Sequence, residues 1–490
     1  MQPTTSVRPV PGLRRPPRTA TSPPPERPSP PQRPYQRILF PAGSPSPVKP
    51  PRILHSPAHS TLDPLFLDLI ALSLRAFVTP WYNSAISRDP DKAFLQAVTG
   101  VLVHVIQALE VRLATVDWPE LLLRDLPAVL EQHYRDWDLA VEKAGGGAAH
   151  NLTPEEMFHR LQPHIAISLS TSKDDAPGST TKPVPQVDKV YMRALVDHLL
   201  RLLLPPEDHR AETERSIVRE ILVGVVFGSV FNRVAQPWFL HGVVTKLLEG
   251  REATMAMEAK QAIDTTNAGP APPSILDKVA AVAVSLPGLV GSAVTSFSRL
   301  AYLATSTPLP AHHSSRPSFQ RSLFSLVLAI LPSSACLSQL FHYLSLPLSL
   351  FSHSLDALLY EVVNDKLVTE LTVKTVLEGA IRGMFPNDGW PAPKEPDPDA
   401  AQRAELRIRC EAAVAKLPPD LLAAFLCPFN DGDIESNSLS GIDRDASRLV
   451  LAQHVLRPFS SHVANVHLFV LVVDLVVGKV FPELVVAPEE

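Results

Sequence analysis

The chain has 490 residues, 45% hydrophobic and 19% charged, which is enough for two or three ordinary domains. Its net charge is −5, with a basic stretch at residues 1–60 and an acidic remainder. The acidic remainder argues against nucleic acid as a partner. Three widely spaced cysteines, Cys336, Cys410 and Cys427, argue against a disulfide framework and a cysteine-rich zinc site. They fit a reducing compartment.

Residues 1–60 contain 18 of the 51 prolines and few apolar side chains. This composition predicts a disordered, basic, Pro/Ser-rich tail. Such a tail could contact anionic lipid or Pro-recognising protein partners, or it could serve only to keep the chain in solution. We expect no signal peptide, because Pro and Arg fill the first 35 residues.

From residue 62 onward the apolar residues follow helical spacing. A first helix is expected to end at Pro80, and a second apolar stripe covers 94–113. Asp117 then stands where a helix N-cap would stand. Residues 171–187 are polar and Pro-rich and are expected to form a loop. Further helices are predicted over 190–204, 216–234 and 237–248.

The helix predicted over 216–234 carries Gly224 and Gly228 four residues apart on one face. Each glycine costs about 1 kcal/mol relative to alanine inside a helix. The pair therefore indicates that a neighbouring backbone or a ligand approaches this face.

Residues 251–320 are expected to form a linker with a weakly amphipathic apolar segment, and 321–486 to form a helical domain. The final helix, over 463–481, is apolar almost all round. Such a helix lies either deep in a protein or in a membrane, and its internal Asp474 favours a protein interior.

Two other stretches, 279–298 and 322–355, carry no formal charge. Neither is cleanly apolar over the 20 or so residues that a membrane span needs. Buried or interfacial helices are therefore favoured over spans.

The sequence lacks the motifs of nucleotide-binding, zinc-peptidase and serine-hydrolase sites. His104 and His198 lie in apolar helices and are expected to be core or rim residues. Asp63 and Asp68 are expected to cap a helix or to face solvent. We therefore expect no catalytic residue, no metal site, no cofactor and no enzymatic activity.

Four segments carry a resemblance to a known domain: FVTPWYNSAISRDP, VDWPELLLRDLPAVLEQHY, LLRLLLPPEDHRAETERSIVREILVGVVF and QPWFL. Through them residues 61–250 resemble a PXA domain, the PX-associated domain of certain sorting nexins. The residues that carry this resemblance are Trp81, Tyr82, Asp117, Trp118, Pro205, Pro206 and Glu220.

The segments RGMFPNDGWPAP and NVHLFVLVVDLVVGKVFPEL are similar to the nexin C-terminal domain, through Pro386, Phe481 and Pro482. The stretch between the two parts is too short and too poor in strand signals for a PX fold. The chain thus resembles the short fungal proteins that lack PX and RGS domains. The expected fold is all-α, an elongated multi-helix bundle whose two halves could pack into one unit.

The resemblance implies lipid binding or lipid transfer at membrane contact sites, with acyl chains held in an apolar helical channel. The implied partners are phospholipids or neutral lipids, and the implied location is cytoplasmic, at the periphery of endoplasmic reticulum, endosomal or vacuolar membranes. The candidate lining residues are Ile221, Gly224, Val225, Phe227, Gly228, Phe231, Leu468, Leu471 and Leu475.

Other interpretations remain open. The chain could be a non-enzymatic scaffold or tether for membrane trafficking that holds no lipid. It could also be an integral membrane protein inserted through 322–355 or through the final helix. A solid helical core would use the same Leu and Val residues as a channel.

Overall fold

The computed structural model describes residues 32–41, 49–56, 59–86, 92–145, 152–172, 182–264, 318–331, 352–367, 369–387, 389–391, 393, 396–417 and 444–485. The uncharged segment 279–298, most of 322–355 and the first 31 residues of the predicted tail lie outside the described residues.

Helices dominate the N-terminal half. Its elements are α1 (Pro34–Ile38), α2 (Asp63–Ser73), α3 (Thr79–Ala85), α4 (Ala93–Thr115), α5 (Trp118–Glu120), α6 (Leu126–Gly145), α7 (Pro154–Leu161), β1 (Ile167–Ser172), β2 (Lys182–Val187), α8 (Lys189–Leu203), α9 (Pro206–Arg210), α10 (Glu212–Leu222), α11 (Asn232–Val234) and α12 (Pro237–Asp264). Three π-helical segments join neighbouring helices: Leu74–Val78, Leu121–Asp125 and Val223–Phe231.

The described part of the C-terminal half is helical as well. Its elements are α13 (Phe319–Ile330), α14 (Ser352–Val362) with a π-helical segment at Val363–Leu367, α15 (Glu370–Met384), α16 (Ala400–Ala415), α17 (Arg444–Leu456) and α18 (His462–Val480), with short 3₁₀ turns at Pro458–Ser460 and Pro482–Leu484. The all-α prediction is confirmed.

One hairpin departs from the helical pattern. Strands β1 and β2 pair antiparallel, with Ile167 opposite Val187 and Ser172 opposite Lys182. The sequence predicted a loop over 171–187, because that stretch is polar and Pro-rich, and Pro183 and Pro185 lie within β2. A two-stranded hairpin tolerates these prolines, since both of its strands are edge strands.

Apolar clusters join the two halves of the chain. Leu377 packs in one cluster with Ile70 and Leu95, and Val466 and Val470 pack in another with Met192. Three further clusters combine Phe158 with Ala464, Val244 with Cys410, and Leu123 with Phe319. The halves therefore share their cores and form one unit, as the sequence left open.

Pro80 does not end the first helix. The chain passes through the π-helical segment Leu74–Val78, where the Thr79 backbone N–H bonds to the carbonyl of Leu74. The Thr79 hydroxyl donates to the same carbonyl at 3.0 Å. The wider turn accommodates Pro80, which has no N–H, so the helix continues into α3.

Part of the predicted tail is packed on the helical body. Leu39 and Ile53 are fully buried in the cluster that contains Ile70. The Asp68 carboxylate accepts the Tyr35 backbone N–H at 3.1 Å, and Asp63 accepts the backbone N–H of Leu54 at 3.0 Å. The prediction of a disordered tail to residue 60 therefore extends too far, and Asp68 does not face solvent as expected.

Replacing Leu39 with alanine tests this boundary. The substitution removes a fully buried side chain. We expect the free energy of unfolding to fall by about 2–5 kcal/mol in chemical denaturation. Deletion of residues 1–31 is the control and should leave stability nearly unchanged, because the sequence predicts disorder there. Equal stability of the Leu39→Ala variant and the unmodified chain would contradict the packing described here.

Candidate functional site

The C-terminal helix α18 docks on the helices of the N-terminal half. Ser461 caps it, since its hydroxyl accepts the Ala464 backbone N–H at 3.4 Å. Seven of the eight residues over 463–470 are buried, including the polar residues Asn465 and His467. The second half of the helix is mostly half-buried. The apolar side chains of α18 are therefore packed against the protein, as its internal Asp474 indicated.

Polar contacts fix the register of α18. Asp474 accepts a hydrogen bond from the Tyr191 hydroxyl at 2.8 Å and lies 3.0 Å from Nε2 of His164. Burial raises the pKa of Tyr191 to about 12, and the bond to Asp474 adds to the shift. Asn465 donates to the carbonyl of Ala235 at 3.0 Å. Each of these partners comes from the N-terminal half.

The two helices predicted to line an apolar site meet at one point. The rings of Phe231 and Phe469 lie 6.1 Å apart, nearly perpendicular. Leu468 is buried, whereas Leu471 and Leu475 are half-buried. This contact belongs to the cluster that also contains Val223, Val466 and Val470.

Ile221, Gly224, Val225 and Gly228, which were also predicted to line the site, are exposed. We call the helical stretch 212–234, which comprises α10, the π-helical segment Val223–Phe231 and α11, the rod. Ile221 and Val225 are 53% and 55% exposed. A Cβ at Gly224 would meet no atom within 4 Å, and one at Gly228 would be 3.8 Å from the carbonyl of Val223. The Phe227 side chain lies outside the described residues.

The fold itself therefore does not require glycine at 224 or 228. What the rod offers is an open apolar face without a charged side chain over 221–231. Large exposed apolar faces on soluble proteins mark binding sites for proteins, membranes or apolar ligands.

Helix α4 offers a second open apolar surface. Only 17% of its most apolar stretch of 18 residues is buried, and the Val111 side chain is 58% exposed. By length and composition alone, three described helices could cross a membrane: the continuous helix Asp63–Ser84, Ala93–Thr115 and His462–Val480. In the third of these, the buried Asn465 and the half-buried Asp474 bond to protein partners.

The residues that carry the family resemblance in the N-terminal half hold local structure. Tyr82 stacks on Phe94 with 3.9 Å between ring centroids. Asp117 accepts the Glu120 backbone N–H at 3.1 Å, as its position before a helix predicted. Trp118 donates its indole N–H to the carbonyl of Leu113 at 3.2 Å.

The other motif residues are also structural. Glu220 pairs with Arg193 at 2.9 Å across α8 and α10, and Pro206 begins α9 directly after Pro205. Phe481 is buried beneath the guanidinium of Arg112, 4.7 Å from its ring, and Pro482 begins a 3₁₀ turn. Trp81 differs from these, since it is 46% exposed. Pro386 is exposed in the turn after α15.

Sequence reasoning missed the partners of α18. Asp474 signalled a polar contact, but nothing near it in the sequence identified Tyr191 or His164. Phe469 lies between the predicted Leu468 and Leu471 and was passed over, although it makes the contact with Phe231. Within the described residues no group of three or more His, Cys, Asp or Glu side chains could hold a metal ion.

Comparison with known proteins places the N-terminal half in a family. The PXA domain model matches residues 59–247. The chain is 29% identical to "PXA domain protein 1" of Schizosaccharomyces pombe over 172 residues, which are 34% of this chain and 30% of that protein. The chain therefore contains a PXA domain, and the resemblance drawn from the sequence is confirmed for this part.

Two sorting nexins are more distant relatives. Sorting nexin-13 of Mus musculus is 24% identical over 189 residues, which cover 37% of this chain and 18% of the relative. Sorting nexin-19 of Mus musculus is 23% identical over 247 residues, covering 49% and 23%. The chain thus spans less than a third of each of these relatives, and no solved structure matches it. The similarity of 321–486 to the nexin C-terminal domain stays a prediction.

Asp474 provides a direct test of the docking contact. Asp474→Ala leaves the Tyr191 hydroxyl without its acceptor in a partly buried position, and we expect a loss of about 1–3 kcal/mol in the free energy of unfolding. Asp474→Asn keeps an acceptor oxygen and should lose less. Urea denaturation of both variants at pH 7.5 measures the difference, and an Ala variant as stable as the Asn variant would show that these bonds do not hold the helix.

Proposed function

We propose that this protein binds lipid in membrane trafficking and holds acyl chains against the open apolar face of the rod. One observation carries the proposal. The stretch 221–231 has no charged side chain, and Ile221, Val225 and Val230 on it are each more than half exposed beside the docked C-terminal helix.

The energetics favour an apolar ligand at this face. Each methylene buried there would contribute about 0.8 kcal/mol. Covering the exposed Ile and Val side chains would add to this, since they contact water in the uncovered state. Apolar contact alone therefore favours an acyl chain at this face.

The relatives support a membrane-associated role. Two of them are named sorting nexins, and the shared region is the PXA domain. By analogy we assign this chain a peripheral position at endosomal or other trafficking membranes. The choice between phospholipid and neutral lipid, and any assignment to endoplasmic reticulum or vacuolar contact sites, belongs to the same proposal.

Native mass spectrometry of the full chain, purified without detergent, tests lipid binding. We expect a bound species at stoichiometric amounts, which lipid extraction then identifies. The double substitution Ile221→Asn with Val225→Asn should reduce the bound fraction at least tenfold, because it places two amides on the acyl-chain path. Ile408→Asn is the matched control, since Ile408 is 65% exposed on α16, and it should keep the lipid.

Two results would overturn the proposal. A chain that carries no lipid and takes none up from added vesicles would leave the scaffold or tether interpretation ahead. Equal lipid content in the rod variant and the Ile408 control would place the lipid elsewhere. Extraction of membranes with alkaline carbonate adds a separate readout, because an integral membrane protein would stay in the pellet whereas a peripheral one is released.

A further inference from the structure

Histidines from three segments meet beneath the C-terminal helix. His467 of α18 is fully buried, and its Nε2 lies 3.0 Å from Nδ1 of His159 on α7. His133 of α6 is also fully buried. Phe158 lies between them, with its ring centroid 5.4 Å from that of His133 and 5.4 Å from that of His467.

These buried rings are poorly supplied with hydrogen-bond partners. Neither ring nitrogen of His133 and not Nδ1 of His467 has a partner among the described residues. A neutral imidazole tolerates such a position at moderate cost, but an imidazolium there would be a buried charge without a counter-ion. The docked state therefore requires both rings to be neutral.

We propose that this histidine cluster is an acid-released latch, which holds the C-terminal helix on the PXA domain at neutral pH and releases it on protonation. The latch spans the junction of the two halves, because His133 and His159 lie in the PXA domain and His467 lies in α18. Release would separate Phe469 from Phe231. The latch does not depend on bound lipid, because the proposed lipid site on the rod is open while the helix is docked.

The direction of the pH effect follows from the pKa shifts. Burial lowers the pKa of His133 from 6.5 to about 4. Burial, together with His159, His164 and His133 as neighbours, lowers the pKa of His467 to about 3. Because both values lie below that of an exposed histidine, protons favour the undocked state. Docking weakens as the pH falls below about 6.5 and continues to weaken down to about pH 4.

Other charged groups face the cluster, and they limit the effect. Nε2 of His164 lies 3.0 Å from the Asp474 carboxylate at the same junction. Burial raises the pKa of Asp136 and of Asp138, and Asp138 pairs with Arg457. Because the pKa of each carboxyl is raised, its protonation favours the folded state and opposes release.

Burial also lowers the pKa of His462, at the start of α18, and lowers that of His454 on α17 to about 4, so both act in the same direction as the latch. Single-histidine variants separate these contributions.

Further along α18, Lys479 pairs with Asp125 at 2.8 Å and with Glu120 at 3.6 Å, and Arg112 of α4 pairs with Glu483. Although burial opposes it, the hydrogen bonds and charges of Arg124 and Lys479 lower the pKa of Asp125, and the backbone hydrogen bond and Arg112 lower that of Glu483. Both carboxyls therefore stay ionised between pH 7.5 and pH 5.5.

Hydrogen–deuterium exchange of the full chain at pH 7.5 and pH 5.5 measures the latch. After correction for the intrinsic pH dependence of exchange, amides of 462–480 should open more often at pH 5.5. The expected increase is about tenfold for each buried histidine that protonates, and so up to about 100-fold for two. Amides of α2, which packs in a different cluster, serve as the internal reference.

Variants separate the latch from a merely structural contact. His133→Phe suits the aromatic surroundings of Phe158, Tyr134 and Phe459, so docking at pH 7.5 should persist while the pH ratio falls about tenfold. His467→Leu should lower the ratio similarly. His198→Gln removes an exposed histidine from α8 and should leave the ratio unchanged.

The proposal fails if exchange of 462–480 does not change between the two pH values. It fails equally if both variants retain the ratio of the unmodified chain. Should His467→Leu not fold, the His133→Phe variant decides the matter alone.

Discussion

The fold depends on the burial of one helix that is mostly apolar but carries a few polar side chains. The C-terminal helix α18 carries Asn465, His467 and Asp474 among its Val and Leu residues. Its apolar side chains must leave water, and its polar ones must find partners when they do. The PXA domain supplies both, since Met192 and Val223 lie in the apolar cluster and Tyr191 and Ala235 provide polar partners.

This arrangement makes the two halves of the chain interdependent. The PXA domain match covers residues 59–247, yet several apolar clusters of that region are completed by residues beyond 318. Removing the C-terminal part would expose those clusters. The rod and α4 differ from this pattern on one face, where Ile221, Val225 and Val111 stay exposed with both halves in place. This contrast between completed and open apolar surface separates core from candidate binding site.

Much of the fold follows from local sequence, and much of the site does not. Helical spacing predicted the helices, and Asp117 predicted a cap, because both depend on residues a few positions apart. The helix through Pro80 and the β1–β2 hairpin were missed, since a π-helical segment and an edge strand tolerate prolines that local rules treat as breaks. The burial of Leu39 and Ile53 was not predicted, because the segment around them is Pro-rich and reads as disordered. A few buried apolar side chains can nevertheless order such a segment.

The candidate site shows the same limit. Phe231 and Leu468 were chosen for their apolar pattern, and the structure brings their helices together. Ile221 and Val225 have the same pattern but lie on the open face. Periodicity identifies an apolar face without saying whether another helix covers it. The histidine cluster could not be predicted either. His133 and His467 are 334 positions apart, and local patterns do not show which distant residues meet.

The central claim is that the PXA domain and the C-terminal helices form a single cooperative unit. Differential scanning calorimetry of the full chain at pH 7.5 tests it most directly. The shared cores predict one transition, with a calorimetric enthalpy that matches the van't Hoff enthalpy. Two separated transitions, with the C-terminal part melting independently of the PXA domain, would contradict the account.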